Sequence, residues 1–322
     1  MALGVIDVEP SQETKTQLAL VTGASGFIGK HLCNALLNKG YKVRALLRDG
    51  SHCANFPQAI ESVNGDLADK AALATAAKDV DIIFHAAAIA HVRVSAAQLL
   101  QETNVEGTRN ILQAGQAANV PGFVFFSSIL AEQPDSVYAS SKQQAEQLVL
   151  ECADNFQSVM VLRPVNVYGV GMKGNIAGLI RRISKGSLPP LPRLGNRLSL
   201  VGVQDLCNAA VLVAEKPAAA GQTYPVTDGQ AYTPNSLETS IYAALGRKKP
   251  GWHCPRVVFY AASLGAQLLN SLGVWSNDLG LRTYCNLVHN KEASCEKIST
   301  ELGYQPTQSL ADELPAIIAA LD

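Results

Sequence analysis

Residues 18–30 read LALVTGASGFIGK, an apolar strand that breaks into a glycine-spaced turn and then opens a helix. In this spacing Gly23 permits the tight turn, Gly26 lets the backbone approach a pyrophosphate, and Gly29 lets the helix pack closely on the strand. The unpaired N–H groups and the positive end of the helix dipole favour a bound phosphate. A second strand, Lys42–Leu47, follows where a βαβ unit requires it. This context favours a dinucleotide-binding turn over a strand–turn–helix that binds nothing.

Six further motifs follow the glycine turn in order over most of the chain. They are His85-Ala86-Ala87-Ala88 after a short apolar strand, Asn104-Val105-Glu106-Gly107-Thr108, Phe123-Val124-Phe125-Phe126-Ser127-Ser128, Tyr138-Ala139-Ser140-Ser141-Lys142, Arg163-Pro164-Val165-Asn166-Val167-Tyr168-Gly169 and Leu302-Gly303-Tyr304-Gln305-Pro306. Together the seven motifs resemble the extended branch of the short-chain dehydrogenase/reductase superfamily. The resemblance implies an α/β fold, a Rossmann-type doubly wound parallel sheet with a smaller C-terminal substrate-binding lobe.

Length and pattern indicate where the two parts of the chain meet. Of the 322 residues 48% are hydrophobic and 16% are charged, which is enough apolar material for a large core. Strand and helix signals alternate up to about Val161, and glycines and prolines cluster after Pro164. We predict a flexible N-terminus over residues 1–16 and a dinucleotide-binding domain over 17–165. Residues 166–322 are expected to form mainly the substrate lobe, with some segments returning to the main domain.

Charge and cysteine spacing narrow the expected partners. The formal net charge of −1 gives no electrostatic field for nucleic acid, so the expected partner is a small molecule. Seven cysteines are scattered without Cys-x-x-Cys spacing, which indicates neither a metal site nor a disulfide framework. This cysteine usage and the lack of a signal-peptide pattern predict a cytoplasmic protein. The resemblance implies a helix-paired homodimer.

Three residues, Ser128, Tyr138 and Lys142, carry the predicted chemistry. A hydride that moves between carbon and nicotinamide must be matched by a proton that moves to or from the attached oxygen. A lysine four residues after the tyrosine shares its helical face, and a serine at a strand end can polarise the substrate oxygen. The resemblance makes Tyr138 the acid/base, Lys142 the group that lowers its pKa and binds the nicotinamide ribose, and Ser128 the substrate-orienting group. Ser127 is the alternative serine.

Two nearby features leave alternatives open. Only ten positions separate Ser128 from Tyr138, where the extended branch usually carries a longer loop over the substrate. Either a neighbouring loop such as Ala90–Ala97 closes the site, or the pocket is open. Two roles are open for Asn104. It is expected either to support a proton relay or, equally, to cap or pack a helix.

Cofactor type is read at the end of the second strand. An NAD pocket places an acidic residue there, whereas this chain has Leu47 followed by Arg48, with Arg44 earlier on the strand. The pattern resembles NADP-using relatives, in which the second arginine binds the 2′-phosphate. The alternative is NAD, with Arg48 stacked on adenine. The predicted cofactor-binding residues are Gly23, Ser25, Gly26, Phe27, Ile28, Gly29, Arg48, Asp66, Leu67, Ala86, Ala87, Ala88, Tyr138 and Lys142.

Asp66 resembles the family aspartate that contacts adenine, but the same residue type also suits a turn or a helix cap.

The small lobe resembles that of bacterial nucleotide-sugar epimerases and 4-keto-sugar reductases, whose asparagine and arginines hold the nucleotide diphosphate. The corresponding candidates here are Asn175, Arg182, Arg193, Arg197 and Arg282. Arg197 lies one position off the expected register, with Leu198 in its place.

These residues predict an NAD(P)-dependent oxidoreductase or epimerase that acts at C4 of a nucleotide-activated sugar. The sequence does not favour elimination of water from a sugar. Sugar dehydratases carry an acidic pair directly after the catalytic hydroxyl, and this chain has Ile129 and Leu130 there. One alternative is a dehydrogenase of a hydroxysteroid or another apolar alcohol, since residues 257–269 are apolar enough to line its pocket. That stretch could also touch a membrane, but its polar interruptions favour a lobe helix over a span. The remaining alternative is a non-catalytic, cofactor-binding regulator.

Overall fold

A computed structural model describes residues 16–48, 57–90, 97–271, 280–288 and 290–321. The described strands are β1 Leu18–Thr22, β2 Lys42–Leu47, β3 Ile60–Asn64, β4 Ile82–His85, β5 Gly122–Phe126, β6 Ser158–Pro164, β7 Asn166–Tyr168, β8 Leu198–Gly202, β9 Thr223–Val226 and β10 Ala231–Tyr232. The described α-helices are α1 Phe27–Asn38, α2 Lys70–Ala77, α3 Ala97–Leu100, α4 Gly107–Ala117, α5 Val137–Glu151, α6 Asn175–Ser184, α7 Val203–Glu215, α8 Pro234–Ala244, α9 Arg256–Ser271, α10 Leu281–Val288, α11 Glu296–Leu302 and α12 Leu310–Ala319. A π-helix, Gln101–Glu106, lies between α3 and α4.

The main sheet has the strand order β3-β2-β1-β4-β5-β6-β9, and its neighbouring strands pair in parallel. The order reverses direction between β1 and β4, which is the switch point where open α/β sheets bind their ligands. This topology confirms the predicted Rossmann-type doubly wound sheet.

The glycine turn sets how closely α1 packs on the sheet. Gly23 has a φ of 73°, and its carbonyl accepts a hydrogen bond from the Gly26 N–H at 2.9 Å. A Cβ on Gly29 would lie 2.1 Å from that same carbonyl oxygen. Only glycine at position 29 therefore allows the helix to start against the turn.

Two apolar layers cover the sheet. One layer combines α1, α7 and α11 around residues such as Leu36, Leu206 and Ile298. The other combines α2, α4 and α5 around residues such as Leu73 and Ile111. Their buried apolar surface holds the carboxyl ends of the strands, and the residues that follow them, in a fixed arrangement.

The C-terminal lobe has its own core and a small sheet of order β10-β8-β7. Its core brings together α6, α8, α9 and α12 through residues including Ile180, Leu237, Phe259 and Leu314. Segments of residues 203–226 belong to the main domain instead, since β9 pairs with β6 and α7 packs with α1. No helix in the described ranges is long and apolar enough to cross a membrane.

Candidate active site

The N-terminus of α1 presents its first amides to the turn without a side-chain cap. Gly26 is the N-cap residue and offers no side chain, whereas Asp69 caps α2 and Ser136 caps α5 through side-chain oxygens. Uncapped first-turn N–H groups at the positive end of a helix suit an anion. A Cβ on Gly23 would lie 2.7 Å from the Ala87 backbone, so the turn and the segment after β4 lie against each other. This cradle fits the pyrophosphate of a dinucleotide.

The other predicted cofactor residues differ in their exposure and in what they pack against. Ser25 and Ile28 lie partly exposed in the turn and the first turn of α1, and the Phe27 ring packs between the main core and the lobe core. Ala86 and Ala88 flank Ala87 directly after β4.

Asp66 and Leu67 follow β3, the edge strand of the main sheet, and both have structural partners. The Asp66 carboxylate accepts hydrogen bonds from the N–H groups of Ala68 and Asp69, which is the turn role among the alternatives. Leu67 is buried, and its carbonyl accepts a hydrogen bond from Asn110.

The two arginines of β2 and its end differ in their environment. The Arg44 guanidinium pairs with Glu61 and donates to the carbonyls of Ala76 and Lys78, so it is committed to the sheet edge and α2. Arg48 follows the strand directly and is exposed. Of the two, only Arg48 is placed to meet a ligand at the carboxyl end of β2.

Tyr138 lies in the first turn of α5, next to Ser128. The helix starts there because the Ser136 hydroxyl accepts the Ala139 N–H at 3.2 Å. Burial raises the pKa of Tyr138, and a hydrogen bond with the Ser128 side chain offsets part of that rise. At neutral pH Tyr138 therefore carries its proton, as a general acid requires.

Lys142 is fully enclosed one helical turn later. Its Nζ donates to the Phe126 carbonyl at 2.6 Å and lies 4.2 Å from the centre of the Phe125 ring. Burial lowers the pKa of Lys142 to about 7, and the charge of Glu146 opposes the shift. The buried His85 stacks on the same ring, and burial together with the Lys142 charge lowers the pKa of His85 to about 3.

Ser127 belongs to a buried polar cluster rather than to Tyr138. Its hydroxyl donates to Glu146 at 2.5 Å, and Arg163 binds the same carboxylate through Nε and Nη2. Arg163 also donates to Glu132 at 2.9 Å. The cluster fastens the helix that carries Tyr138 to strands β5 and β6.

We predict that the two serines differ sharply on substitution. Ser128→Ala should lower kcat by about 10², because the hydroxyl paired with Tyr138 is lost. Ser127→Ala should leave kcat within a few-fold and instead lower the free energy of unfolding by about 1–3 kcal/mol, since it leaves a buried carboxylate short of a donor. Kinetics and denaturant unfolding of both variants measure the difference. The reverse pattern would move the substrate-orienting role to Ser127.

Asn104 ties two segments of the site together. Its Oδ1 accepts the Ile89 N–H at 2.8 Å, and its Nδ2 donates to the Ile89 carbonyl and to the Ser141 hydroxyl. Ser141 in turn donates to the Tyr138 carbonyl. These bonds favour the packing interpretation of Asn104 over the relay.

A cavity in the lobe brings some of the predicted substrate residues together. Asn175 and Arg182 line it, along with Asn166 and Lys291. The rest of its lining is apolar and consists of Ile176, Leu179, Leu188, Leu198, Leu237, Phe259 and Leu287. Helix α6 begins at its edge, and the Gly174 N-cap provides no side-chain cap to that helix. Sequence reasoning missed Lys291, for which no motif gave a signal.

Two of the remaining substrate candidates, Arg193 and Arg197, do not line this cavity. Arg197 is exposed and pairs with Glu292 at 3.5 Å, while Leu198 occupies the cavity wall in agreement with the register difference. Arg193 is exposed and is not part of the cavity lining. The Arg282 side chain and most of the Ala90–Ala97 loop are outside the described residues.

Comparison with known proteins gives two kinds of relative. The sequence model of the NAD dependent epimerase/dehydratase family matches residues 19–227. A UDP-glucose 4-epimerase of Vibrio cholerae is 29% identical over 316 residues, which cover 91% of this chain and 92% of the relative. A 3-beta-hydroxysteroid dehydrogenase of Mycolicibacterium neoaurum is 29% identical over 343 residues, which cover 95% of this chain and 93% of the relative. The crystal structure of gox2253 superposes with a TM-score of 0.76 at 26% identity and covers 95% of this chain and 98% of that one.

Proposed function

Since the chain belongs to the NAD dependent epimerase/dehydratase family, as the seven motifs predicted, we propose that it catalyses hydride transfer at C4 of a nucleotide-activated sugar. The observation that carries this proposal is the polar part of the lobe cavity. Arg182, Lys291 and Asn175 all line this cavity, and α6 begins at its edge with no side-chain cap on its first amides, while Arg182 projects from the last turn of the same helix. Two cations and free helix amides are the groups that bind a diphosphate.

The proposed mechanism assigns one task to each residue of the site. When bound, the nicotinamide dinucleotide supplies or accepts the hydride. Tyr138 gives its phenolic proton to the substrate oxygen during reduction and takes it back during oxidation. Ser128 holds that oxygen beside the phenol, and the Lys142 ammonium stabilises the phenolate that remains.

The direction we propose is reduction of a 4-keto sugar. Burial raises the pKa of Tyr138, so the phenol keeps its proton at neutral pH and the free enzyme already holds the proton that a reduction consumes. The lack of an acidic residue at Leu47, followed by the exposed Arg48, favours NADPH, the cofactor that supplies net reducing equivalents.

A second candidate is reduction or oxidation of an apolar ketone or alcohol, such as a hydroxysteroid. The apolar lining from α6, α8, α9 and α10 favours it, and a dehydrogenase with that substrate is among the relatives. Consumption of NADPH and NADH with a panel of nucleotide 4-keto sugars and steroid ketones separates the two candidates. Turnover confined to the steroid arm would overturn the sugar assignment.

We predict that Arg182→Gln raises KM for a nucleotide sugar about tenfold or more, with a smaller change in kcat, because one charge-assisted hydrogen bond to the diphosphate is lost. Arg181→Gln on the same helix is the matched control, because Arg181 is exposed and outside the cavity lining. Steady-state kinetics of the two variants measure this effect. Equal effects in both would remove Arg182 from the substrate site.

We predict that Arg48→Ala weakens NADPH binding by about 10- to 100-fold and leaves NADH binding nearly unchanged. NADH has no 2′-phosphate for the guanidinium to bind. Fluorescence titration of both cofactors against wild type and the variant measures this. Equal losses for the two cofactors would show that Arg48 only stacks on adenine, and the NADP assignment would be wrong.

A further inference from the structure

The lobe carries an apolar helix surface that the rest of the described fold leaves uncovered. Helix α9 turns Phe259, Ser263 and Ala266 inward, while Val257 is 78% exposed and Leu264 is 37% exposed. The side chains of Val258, Tyr260, Leu268 and Leu269 are also exposed. After Arg256 the helix has no charged residue. A surface helix normally turns a polar face to water, so an outward face of this kind marks a contact surface.

A basic segment leads directly into this helix. Residues 247–256 read RKKPGWHCPR, and no aspartate or glutamate occurs between Glu238 and Asp278. Lys249 is bound by Glu238 at 2.8 Å, and the Cys254 N–H donates to the Pro190 carbonyl, so the segment is anchored on the lobe.

Other cations of that segment keep their charge uncompensated. Arg247 donates to the Ser184 carbonyl, Arg256 donates to the Tyr284 hydroxyl, and Lys248 is exposed. No carboxylate in the described part of the chain pairs with any of these three. Their charge therefore faces solvent beside the apolar surface of α9.

An exposed tryptophan lies between the cations and the helix. Trp252 is 58% exposed, although tryptophan has a large apolar ring that usually packs against protein. Tryptophan is favoured at the boundary between water and lipid, where its ring contacts apolar groups and its N–H stays solvated. An exposed apolar helix surface beside basic and aromatic side chains offers the two attractions, burial of apolar area and opposite charge, by which a protein binds an anionic lipid interface.

We propose that α9 and the segment Arg247–Arg256 dock the enzyme on the surface of an anionic phospholipid bilayer. The 16-residue helix lies along the surface, with Val257 and Leu264 in the acyl boundary and Lys248 among the headgroups. Phe259 on its inner side lines the lobe cavity, so the docked helix is also a wall of the substrate site. The proposal goes beyond the proposed reaction and holds for either substrate class.

A second copy of this chain fits the same surface less well. A symmetric contact would use this patch on both copies and bring together two sets of cations. The segment has no carboxylate between Glu238 and Asp278 to pair with them. Anionic headgroups supply the missing negative charge.

Sedimentation with vesicles tests the proposal on the full-length protein. Wild type should bind vesicles of equal parts phosphatidylcholine and phosphatidylglycerol, with weaker binding to phosphatidylcholine alone and at high salt. The double variant Val257→Glu and Leu264→Glu should lose at least tenfold in partitioning, and Lys248→Gln about fivefold. The controls Leu150→Glu and Lys216→Gln change exposed residues elsewhere and should bind like wild type.

Two further readouts separate docking from misfolding and from self-association. The double variant should keep wild-type turnover of a water-soluble substrate, because neither residue lines the cavity. In a Trp275→Phe background, which leaves Trp252 as the one tryptophan of the chain, emission should shift to the blue when anionic vesicles are added. Failure of wild type to bind these vesicles would overturn the proposal. So would a double variant that binds normally and changes only the oligomeric state, since that result assigns the surface to a contact between copies.

Discussion

Tyr138→Phe is expected to lower kcat by about 10³-fold while the dissociation constant of the cofactor stays within a few-fold of wild type. The substitution removes the one phenolic proton beside Ser128 and leaves the ring, which is the part that packs. General acid–base groups contribute about 10²- to 10⁴-fold, so the loss should reach that range. Stopped-flow turnover and cofactor titration by fluorescence measure the two quantities separately.

A matched control is available in the same chain. Tyr242 is half-buried in the lobe and is not part of the cavity lining, so Tyr242→Phe should keep wild-type kcat. If Tyr138→Phe turns over within tenfold of wild type, the proton comes from another group and the assignment of Tyr138 is wrong.

The second large effect concerns Lys142, for which activity and stability should change in opposite directions. Lys142→Met should lower kcat by about 10² or more, because the cation that stabilises the phenolate is lost. The same variant without cofactor should be more stable than wild type by the order of a few kcal/mol at pH 7. The enclosed ammonium is costly, and Glu146 keeps its bonds to Arg163 and Ser127 when the lysine is removed.

The difference in the free energy of unfolding between Lys142→Met and wild type should depend on pH in a definite direction. The pKa of Lys142 is lowered from 10.5 to about 7 in the folded protein, so between those values the unfolded chain binds the extra proton. The free energy of unfolding of the wild type therefore rises as pH increases from 7 to 10.5. Below pH 7 the wild type carries the full destabilisation that comes from burying the charged Lys142. The advantage of Lys142→Met should shrink over that window.

Urea unfolding across the window checks this expectation. Lys70→Met, at an exposed lysine, is the control and should show no such pH-dependent gap. A Lys142→Met variant that is less stable than wild type at every pH would contradict the burial cost.

The parts of the molecule that rest on local pattern could be predicted from the sequence. The turn around Gly23, Gly26 and Gly29 and the apolar strands after it are short-range signals, and the parallel sheet follows from their order. Tyr138 and Lys142 share a helical face because of their spacing alone, and their roles remain a prediction.

Long-range partners could not be read in this way. The partner of Ser127 is Glu146 on a helix, held by Arg163 on another strand, and no spacing in the sequence reveals that cluster. Lys291 reaches the cavity from more than a hundred residues after Asn175, for the same reason.

The apolar stretch 257–269 shows a different limit. Its composition favoured a lobe helix, and the structure has one, but composition could not tell that much of its apolar surface faces outward. The total charge of −1 also does not reveal the local run Arg247–Lys249. Burial depends on which elements pack together, and an average over the chain does not contain that information.

The π-helix at Gln101–Glu106 sets the direction of the Asn104 side chain. A π-turn holds one residue more than an α-turn. Deleting a residue before Asn104 would rotate its side chain by about 100° and move it away from Ile89 and Ser141. The extra residue of this turn is therefore part of what joins the segment after β4 to the helix that carries Tyr138.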